Sequence, residues 1–471
     1  MNQIVVTLIL FFAIFSLVGL SEILHRRRLV SPEVSRKIVH VGVGTLIFLA
    51  YPFLKGPFPV LLLSSLFVLI NALTLVLGVF KGMEGVERES IGTVLYPLSV
   101  FIVTYFFFDV KLVFFTSLSA LFYGDALAAI VGPLFPLLRF ESKRGVKTLG
   151  GSLAVGITVF VILFGFFHQS ITVSLILSII ALALEAGFFG GIDNLTLPVG
   201  LSFFLFYLQN TGLDAGFLSG FLLAFLIAVS SIFLGFLTFD GGMVTLVIGT
   251  LIFSIGGLKW ALPIITFFLT SSVLTKLVKG RSVVKSGEAR DSAQVIANGG
   301  LPAIFVVLDY IYPWRVWYIL YIVALAVVNS DTWSTEIGAL SKLMPRSIIN
   351  FRKLPKGSSG AVSVCGSLGG VAGAFLIAFY LLFYGYSLKV FLIAGILGFV
   401  GNIIDSILGA TLEVQYFCKK CGGIFDIEFH CGEKLEYLRG IKWFGNNMVN
   451  FTASLLGSLI AGLIFLIGGL R

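Results

Sequence analysis

Charge is scarce in this 471-residue chain. Asp, Glu, Lys and Arg make up 12% of it, against 58% hydrophobic residues, and the mean hydropathy is +1.05. Those values exclude an ordinary soluble domain. Cysteine is scarce too. Four residues, three of them within one short stretch, are too few for a disulfide framework. The spacing GxxxxGK[ST] is missing, which excludes a P-loop nucleotide site. No basic segment precedes the first apolar run, so that run reads as a retained span and not as a cleaved leader.

Apolar runs of roughly spanning length fill most of the remainder. They lie near 4–22, 38–54, 58–79, 92–108, 112–132, 152–168, 171–188, 197–211, 215–238, 242–257, 260–277, 296–312, 317–338, 361–384, 388–409 and 449–469. The expectation is an all-α polytopic membrane protein with about sixteen transmembrane helices in two bundles. The polar break Asn210-Thr211-Gly212-Leu213-Asp214 divides it into domains 1–212 and 213–471. The loops after odd-numbered spans hold 26 of the 32 Lys and Arg. By the positive-inside rule those loops are cytoplasmic and both termini lie outside. The net charge of +9 therefore reports topology and gives no reason to expect a nucleic-acid partner. The expected location is the cell membrane, multi-pass, with the active sites at the cytoplasmic face.

Against this apolar background one pattern occurs twice. Asp125 lies in a span, with Gly132 seven residues on and then Lys147-Thr148-Leu149-Gly150-Gly151-Ser152. Asp331 lies in a span, with Gly338 seven residues on and then Lys356-Gly357-Ser358-Ser359-Gly360. An ionisable group inside a span is costly and is a functional hypothesis by default. A carboxylate can hold Mg²⁺, a lysine can meet phosphate, and bare backbone N–H groups of a Gly/Ser loop can wrap oxygens. The bland readings are a polar helix-packing pair for the acids and plain topology charge for the lysines.

Other groups join each set. Arg36, Lys37 and His40 open the second span, with Lys37 and His40 on one face. His40 could be a base toward a hydroxyl or a phosphate ligand. Glu185, Asp193 and Asn194 could complete a metal site, or Asp193 and Asn194 could simply cap the next span. Glu336, five residues after Asp331, could be a second metal ligand or a base. Asp405, Asn446, Asn447 and Asn450 look like the second half's counterparts of the Glu185 set. Arg139 and Arg346 are helper cations for the loops. Cys418-x-x-Cys421 with His430-Cys431 has a zinc spacing, although adjacent ligands at 430 and 431 strain it. The alternative is a reduced, packed loop.

Residues 20–210 resemble the polyprenol kinase family of dolichol and phytol kinases, with the related CTP-dependent diacylglycerol kinases. The matching residues are Arg36-Lys37-x-x-His40, Gly124-Asp125-x-x-Ala128-x-x-x-Gly132, Lys147-Thr148-x-Gly150-Gly151-Ser152, Glu185 and Asp193-Asn194 before Pro198. Residues 215–470 resemble a second membrane family, which includes the phytyl-phosphate kinase of tocopherol biosynthesis and transmembrane protein 19. The match there runs through Asn298-Gly299-Gly300, Asp331 to Gly338, Pro345-Arg346, Lys356 to Ser363, Asp405 to Ala410, His430-Cys431-Gly432 and Asn446-Asn447-Met448-Val449-Asn450. The resemblance implies Mg²⁺ and CTP as cofactor and phosphate donor. It also implies a prenyl alcohol phosphorylated to its monophosphate, and then an isoprenyl monophosphate converted to the diphosphate. Two rivals use the same features: a CTP-dependent lipid cytidylyltransferase, and a secondary transporter built from repeated halves.

Overall fold

A computed structural model describes residues 2–77, 91–142, 145–278 and 289–467. The loop cations Lys81, Arg88, Lys143, Arg144, Lys279, Arg281 and Lys285 lie outside the described residues. The chain forms two compact units, Met1–Asp214 and Ala215–Arg471. Each unit is helical, and the chain is an all-α integral membrane protein with a few short strands.

The first unit contains α1 (Gln3–Arg26), α2 (Pro32–Ala50), α3 (Phe58–Leu77), α4 (Gly92–Phe107), α5 (Lys111–Ser119), α6 (Asp125–Leu134), α7 (Leu149–Phe160), α8 (Ile171–Gly187) and α9 (Asp193–Thr211). Between α5 and α6 the chain makes a π-turn, Ala120–Gly124, in which the Asp125 N–H reaches back five residues to the Ala120 carbonyl. Phe114, Leu118, Leu121 and Phe122 are fully buried, so this continuous rod is the core of the unit. The hairpin of β1 (Arg139–Ser142) and β2 (Gly145–Thr148) joins α6 to α7.

The second unit contains α10 (Ala215–Phe233), α11 (Phe239–Val278), α12 (Ser292–Ile311), α13 (Arg315–Leu340), α14 (Val364–Phe383), α15 (Leu388–Thr411) and α16 (Asn446–Ile467). Helix α13 is buried on every side from Tyr318 to Ser330, which marks it as the central helix. It packs on α11, α12, α14, α15 and α16. Small residues allow this. A Cβ at Gly373 would sit 3.0 Å from the Asn329 carbonyl oxygen, and one at Gly401 would sit 2.2 Å from Val327 Cγ2.

Among the described residues, twelve helical segments are long and apolar enough to cross a bilayer. The expectation of about sixteen differs for physical reasons. Gly92–Phe107 and Ile171–Gly187 are apolar but shorter. The two runs either side of Gly257 remain two helices, broken where Gly257 adopts φ 63°, and they count once among the twelve because they are contiguous. Helix α9 carries Asp193, Asn194, Thr196, Gln209 and Asn210, which lower its hydropathy.

Candidate active site

In the first unit the expected acids and bases converge. Lys37, one turn into α2, donates a hydrogen bond to Asp125 Oδ2 at the start of α6. His40 Nδ1 lies 3.6 Å from the same oxygen. The imidazole is held by stacking on Tyr96, with ring centroids 3.9 Å apart, and the Tyr96 hydroxyl donates to the His40 carbonyl at 2.9 Å. Lys147, at the end of β2, donates to Glu185 Oε1 at 2.6 Å and to Asp193 Oδ2 at 2.7 Å. Burial alone would favour its neutral amine, but those two carboxylates push its pKa above the usual lysine range. Asn194 donates to the Gly92 carbonyl at 3.0 Å, fixing α9 to α4.

One oxygen from each of Asp125, Glu185 and Asp193 can be chosen so that all three lie within 4.8 Å of one another. Glu185 Oε2 and Arg36 Nε are buried there without a hydrogen-bond partner. Three convergent carboxylates and an unsatisfied buried oxygen fit a hard divalent cation such as Mg²⁺, which takes one to three protein oxygens and keeps other positions for water and phosphate.

The glycines of the first loop do something not read from the sequence. A Cβ at Gly150 would sit 2.0 Å from the Phe135 carbonyl oxygen, one at Gly151 3.0 Å from that of Ala128, and one at Gly132 2.9 Å from Thr148 Oγ1. They bring α7 against α6. The Gly151 N–H is taken by Thr148 Oγ1 at 3.2 Å, as a helix N-cap. Ser152 is buried and its hydroxyl points back to the Thr148 carbonyl.

The second unit repeats this joint. Gly338 packs on Ser363, whose Oγ accepts from the Gly366 N–H at 3.1 Å and caps α14. Thr148 therefore corresponds to Ser363, and Lys147 to Val362, not to Lys356. Lys356 lies in a longer loop between the paired segments Arg346–Ser347 and Ala361–Val362. Its ammonium donates to the carbonyls of Ser341 and Ala339 at the end of α13, at 2.5 and 3.3 Å. Gly357 and Gly360 have φ of 81° and 75°, and a Cβ at Gly360 would sit 2.4 Å from that of Ala410, so the loop beyond Ser358 lies flat on α15. Arg346 is exposed and donates to the Phe351 carbonyl at 3.1 Å.

Around Asp331 the acids gather with Arg439, near Glu413, as the cation that attracts one of them. Asp331, Asp405 and Glu413 are near enough to repel one another, and among the described residues none of them makes an ion pair. Asn450, with its amide nitrogen turned toward α15, donates to Asp405 Oδ2 at 3.1 Å and to the Asn446 carbonyl at 3.2 Å. The Asn446 N–H faces Asp426 Oδ2 at 3.4 Å, and Asn447 is half-buried in the same turn. Glu336 faces a different neighbour: its Oε1 accepts from Thr275 at 2.7 Å and it attracts the half-buried Arg290.

Glu413 was not singled out in the sequence. It follows α15 by two residues and is buried, with a hydrogen bond from Ser359. Burial, opposed by Ser359 and reinforced by Asp426, pushes its pKa up to about 7. A lone acid just past an apolar span carries no signal of its burial.

Two further features belong to the second unit. A cavity of about 260 Å³ is lined by Leu223, Ile248, Phe253 and Ile264, with Thr245, Arg290 and Asn298 as its polar members. Burial lowers the Arg290 pKa to about 10 despite Glu336. The expected cysteine set is also assembled: ligand atoms of Cys418, Cys421, His430 and Cys431 lie within 4.8 Å of one another.

Comparison with known proteins finds one family and several relatives. Residues 222–458 match the family described as integral membrane protein DUF92. Protein PGR of Arabidopsis thaliana is 30% identical over 258 residues, 48% of this chain and 88% of that protein. An uncharacterised membrane protein of Methanocaldococcus jannaschii is 32% identical over 206 residues, 41% of this chain and 85% of that one. A phytol kinase of Synechocystis is 33% identical over 190 residues, 38% of this chain and 81% of that enzyme. No solved structure matches. With half of its length matched to one family description and its relatives covered over most of their own length, the chain belongs to the DUF92 family of integral membrane proteins.

Proposed function

We propose that this protein is a membrane-embedded kinase that phosphorylates an isoprenoid alcohol and then its monophosphate, using a nucleoside triphosphate, CTP by resemblance, and Mg²⁺. The observation that carries the reading is the first unit's constellation of Asp125, Glu185 and Asp193 with Lys37, Lys147 and His40. The related phytol kinase supports the substrate class. Both sets of acids adjoin basic loops, which the positive-inside rule assigns to the cytoplasm, where nucleotide is available.

In the first unit Asp125, Glu185 and Asp193 would hold Mg²⁺, which neutralises polyphosphate charge and orients it for in-line transfer. Lys37 and Lys147 lie within reach of the same carboxylates and can exchange those contacts for phosphate oxygens. His40 receives the proton of the alcohol as its oxygen bonds to the γ-phosphorus. The bond from that phosphorus to the β-bridging oxygen breaks, and nucleoside diphosphate leaves. Asp125, at 3.6 Å, stabilises the imidazolium that results.

The second unit has no histidine outside the 412–445 segment, since His430 is the one histidine after residue 214. A phosphate monoester arrives ionised and needs no base, so a site for the second step can lack one. Asp331, Asp405 and Glu413 would take the metal. The largely apolar cavity, with Arg290 and Asn298 in its lining, suits an isoprenoid tail joined to an anionic head.

The test is to incubate the purified protein with Mg²⁺, γ-labelled CTP or ATP, and a panel of prenyl alcohols and monophosphates. Labelled mono- and diphosphates with release of nucleoside diphosphate support the reading. Pyrophosphate release would support a cytidylyltransferase, and solute flux without nucleotide a transporter.

A further inference from the structure

Helices α8 and α9 are joined by the five residues 188–192, whereas their counterparts α15 and α16 are joined by the 34 residues 412–445. That insert is a miniature β module. Gln415–Phe417 pairs on one side with Ile424–Phe425 and on the other with Glu436–Arg439, and Phe429–His430 pairs with Glu433–Lys434. Its core amounts to Val414, Tyr416, Cys418 and Leu435, with Phe425 partly covered. A segment below about 40 residues with so little apolar burial is not held by its core alone and needs a cross-link or a metal. All its cysteines are free thiols.

We infer that Cys418, Cys421, His430 and Cys431 form a structural Zn²⁺ site that holds this module together. Two tight turns present the ligands. In the first, the Gly422 N–H donates to the Cys418 carbonyl at 2.8 Å and the Cys418 N–H to the Gly423 carbonyl at 2.9 Å, with Gly422 at φ 68°. In the second, Cys431 takes φ 52° and Gly432 φ 76°. The left-handed Cys431 backbone resolves the difficulty of adjacent ligands, because it turns the thiol back toward the imidazole beside it. His430 Nδ1 lies 3.1 Å from Cys431 Sγ and 3.7 Å from Cys421 Sγ. Bonds of about 2.3 Å to sulfur and 2.0 Å to nitrogen around a tetrahedral ion place such atoms roughly 3.5 Å apart. The His430 ring is fixed by stacking on Phe425 at 3.9 Å, and Lys420 bridges the two turns by donating to the Cys431 carbonyl at 3.0 Å. Three thiolates and one imidazole select zinc over the hard cations that the carboxylate sites suit. On binding, the thiols release their protons to solvent and three Zn–S bonds form.

The module is tied to both helices that flank it. Arg439 donates to the Gln415 side chain at 2.8 Å and to the Ala410 carbonyl at the end of α15. Asp426 faces the first N–H of α16 at 3.4 Å. The metal would thus fix Glu413 and the turn bearing Asn446 and Asn450, without touching substrate.

The full-length protein, purified in detergent without chelators, should contain one zinc per chain by elemental analysis. Cys418→Ser/Cys421→Ser should lose it while keeping the helical far-UV signal. Cobalt exchanged into the wild type should give the intense visible bands of a tetrahedral thiolate site. If the double variant fails to fold, release of zinc in step with mercurial titration of the wild-type thiols serves instead. Wild type that stays well below one metal after zinc loading, zinc content unchanged in the variant, or a disulfide found by thiol titration overturns the assignment. None of these readouts depends on kinase activity.

Discussion

Thr148 and Ser363 hold equivalent stations in the two units: each caps a helix by accepting the N–H of a glycine three residues on, at 3.2 Å from Gly151 and 3.1 Å from Gly366. Each also sits against the glycine seven residues after the aspartate of the preceding span. Alignment on this joint matches Asp125 with Asp331 and α8 with α15. It also leaves Lys147 without a lysine counterpart. The two halves therefore share a scaffold and differ in how they treat charge: the first pairs its acids with Lys37 and Lys147, and the second has no such lysine pairs among the described residues.

The first prediction concerns His40 and Asp125. Asp125→Asn should leave the protein folded and reduce alcohol phosphorylation by about 10²–10⁴, the usual loss when a metal ligand or charge partner goes. His40→Gln should fall in the same range for alcohols. It should leave conversion of supplied monophosphate unchanged, because that nucleophile carries no proton to remove. Product analysis of both steps in one preparation checks this. Equal losses in both steps with His40→Gln would remove it as the base.

Asp331→Asn and Asp405→Asn should show the reverse pattern. Alcohol would still be converted, and monophosphate should accumulate without diphosphate. Time courses of labelled lipid read both species. Loss of the two reactions together in every variant would overturn the assignment of one step to each unit.

Packing gives a third test. Gly150→Ala places a methyl 2.0 Å from a backbone oxygen, which cannot rotate away. It should destabilise the protein by several kcal/mol. Gly151→Ala, at 3.0 Å, should cost less. A phosphate-cradling role would predict the opposite: intact stability with a raised nucleotide KM in both variants. Thermal unfolding in detergent alongside nucleotide KM separates the two.

Glu413 supplies a pH test. Its folded pKa of about 7 lies above the usual carboxylate value. The neutral form is therefore favoured by folding, and that contribution is lost as pH rises from about 4.5 to about 7. Over the same window the carboxylate becomes available to a cation, so second-step activity should climb toward neutrality and level off above it. Glu413→Gln should abolish both the rising limb and the fall in stability. A pH profile of the second step that is unchanged in Glu413→Gln would rule the residue out.

Much of this was open to sequence reading because the physics is local. Long apolar runs must become helices in lipid, and a lone aspartate within one stands out. Lys37 and His40 share a face at the start of one span, and Glu185 and Asp193 lie near the end of another, which makes them legible as candidates; the sequence alone also allows topology charge and helix capping. What could not be read depends on distant partners. The sequence places Lys147 beside glycines, but its true companions are acids 38 and 46 residues away. Lys356 resembles Lys147 in its neighbours, yet it caps the end of α13, because loop length changes where a side chain lands. Glu413 is buried only because the 355–360 loop and the β module cover it. Short strands such as Arg139–Ser142 have too few residues to show an alternating pattern.

The π-turn before Asp125 makes the aim of that carboxylate depend on chain length. An α-helix advances about 100° per residue, so a turn with one residue more than usual rotates everything after it relative to everything before. Removing any one of Ala120–Gly124 would let the segment relax into a regular helix of nearly the same hydropathy. It would still span, and it would still bury Phe114 and Leu118. The carboxylate below it would face away from Lys37 and His40. Helix α13 reaches Asp331 with no such turn, so the same acid is aimed in one half by an additional residue and in the other by an unbroken rod.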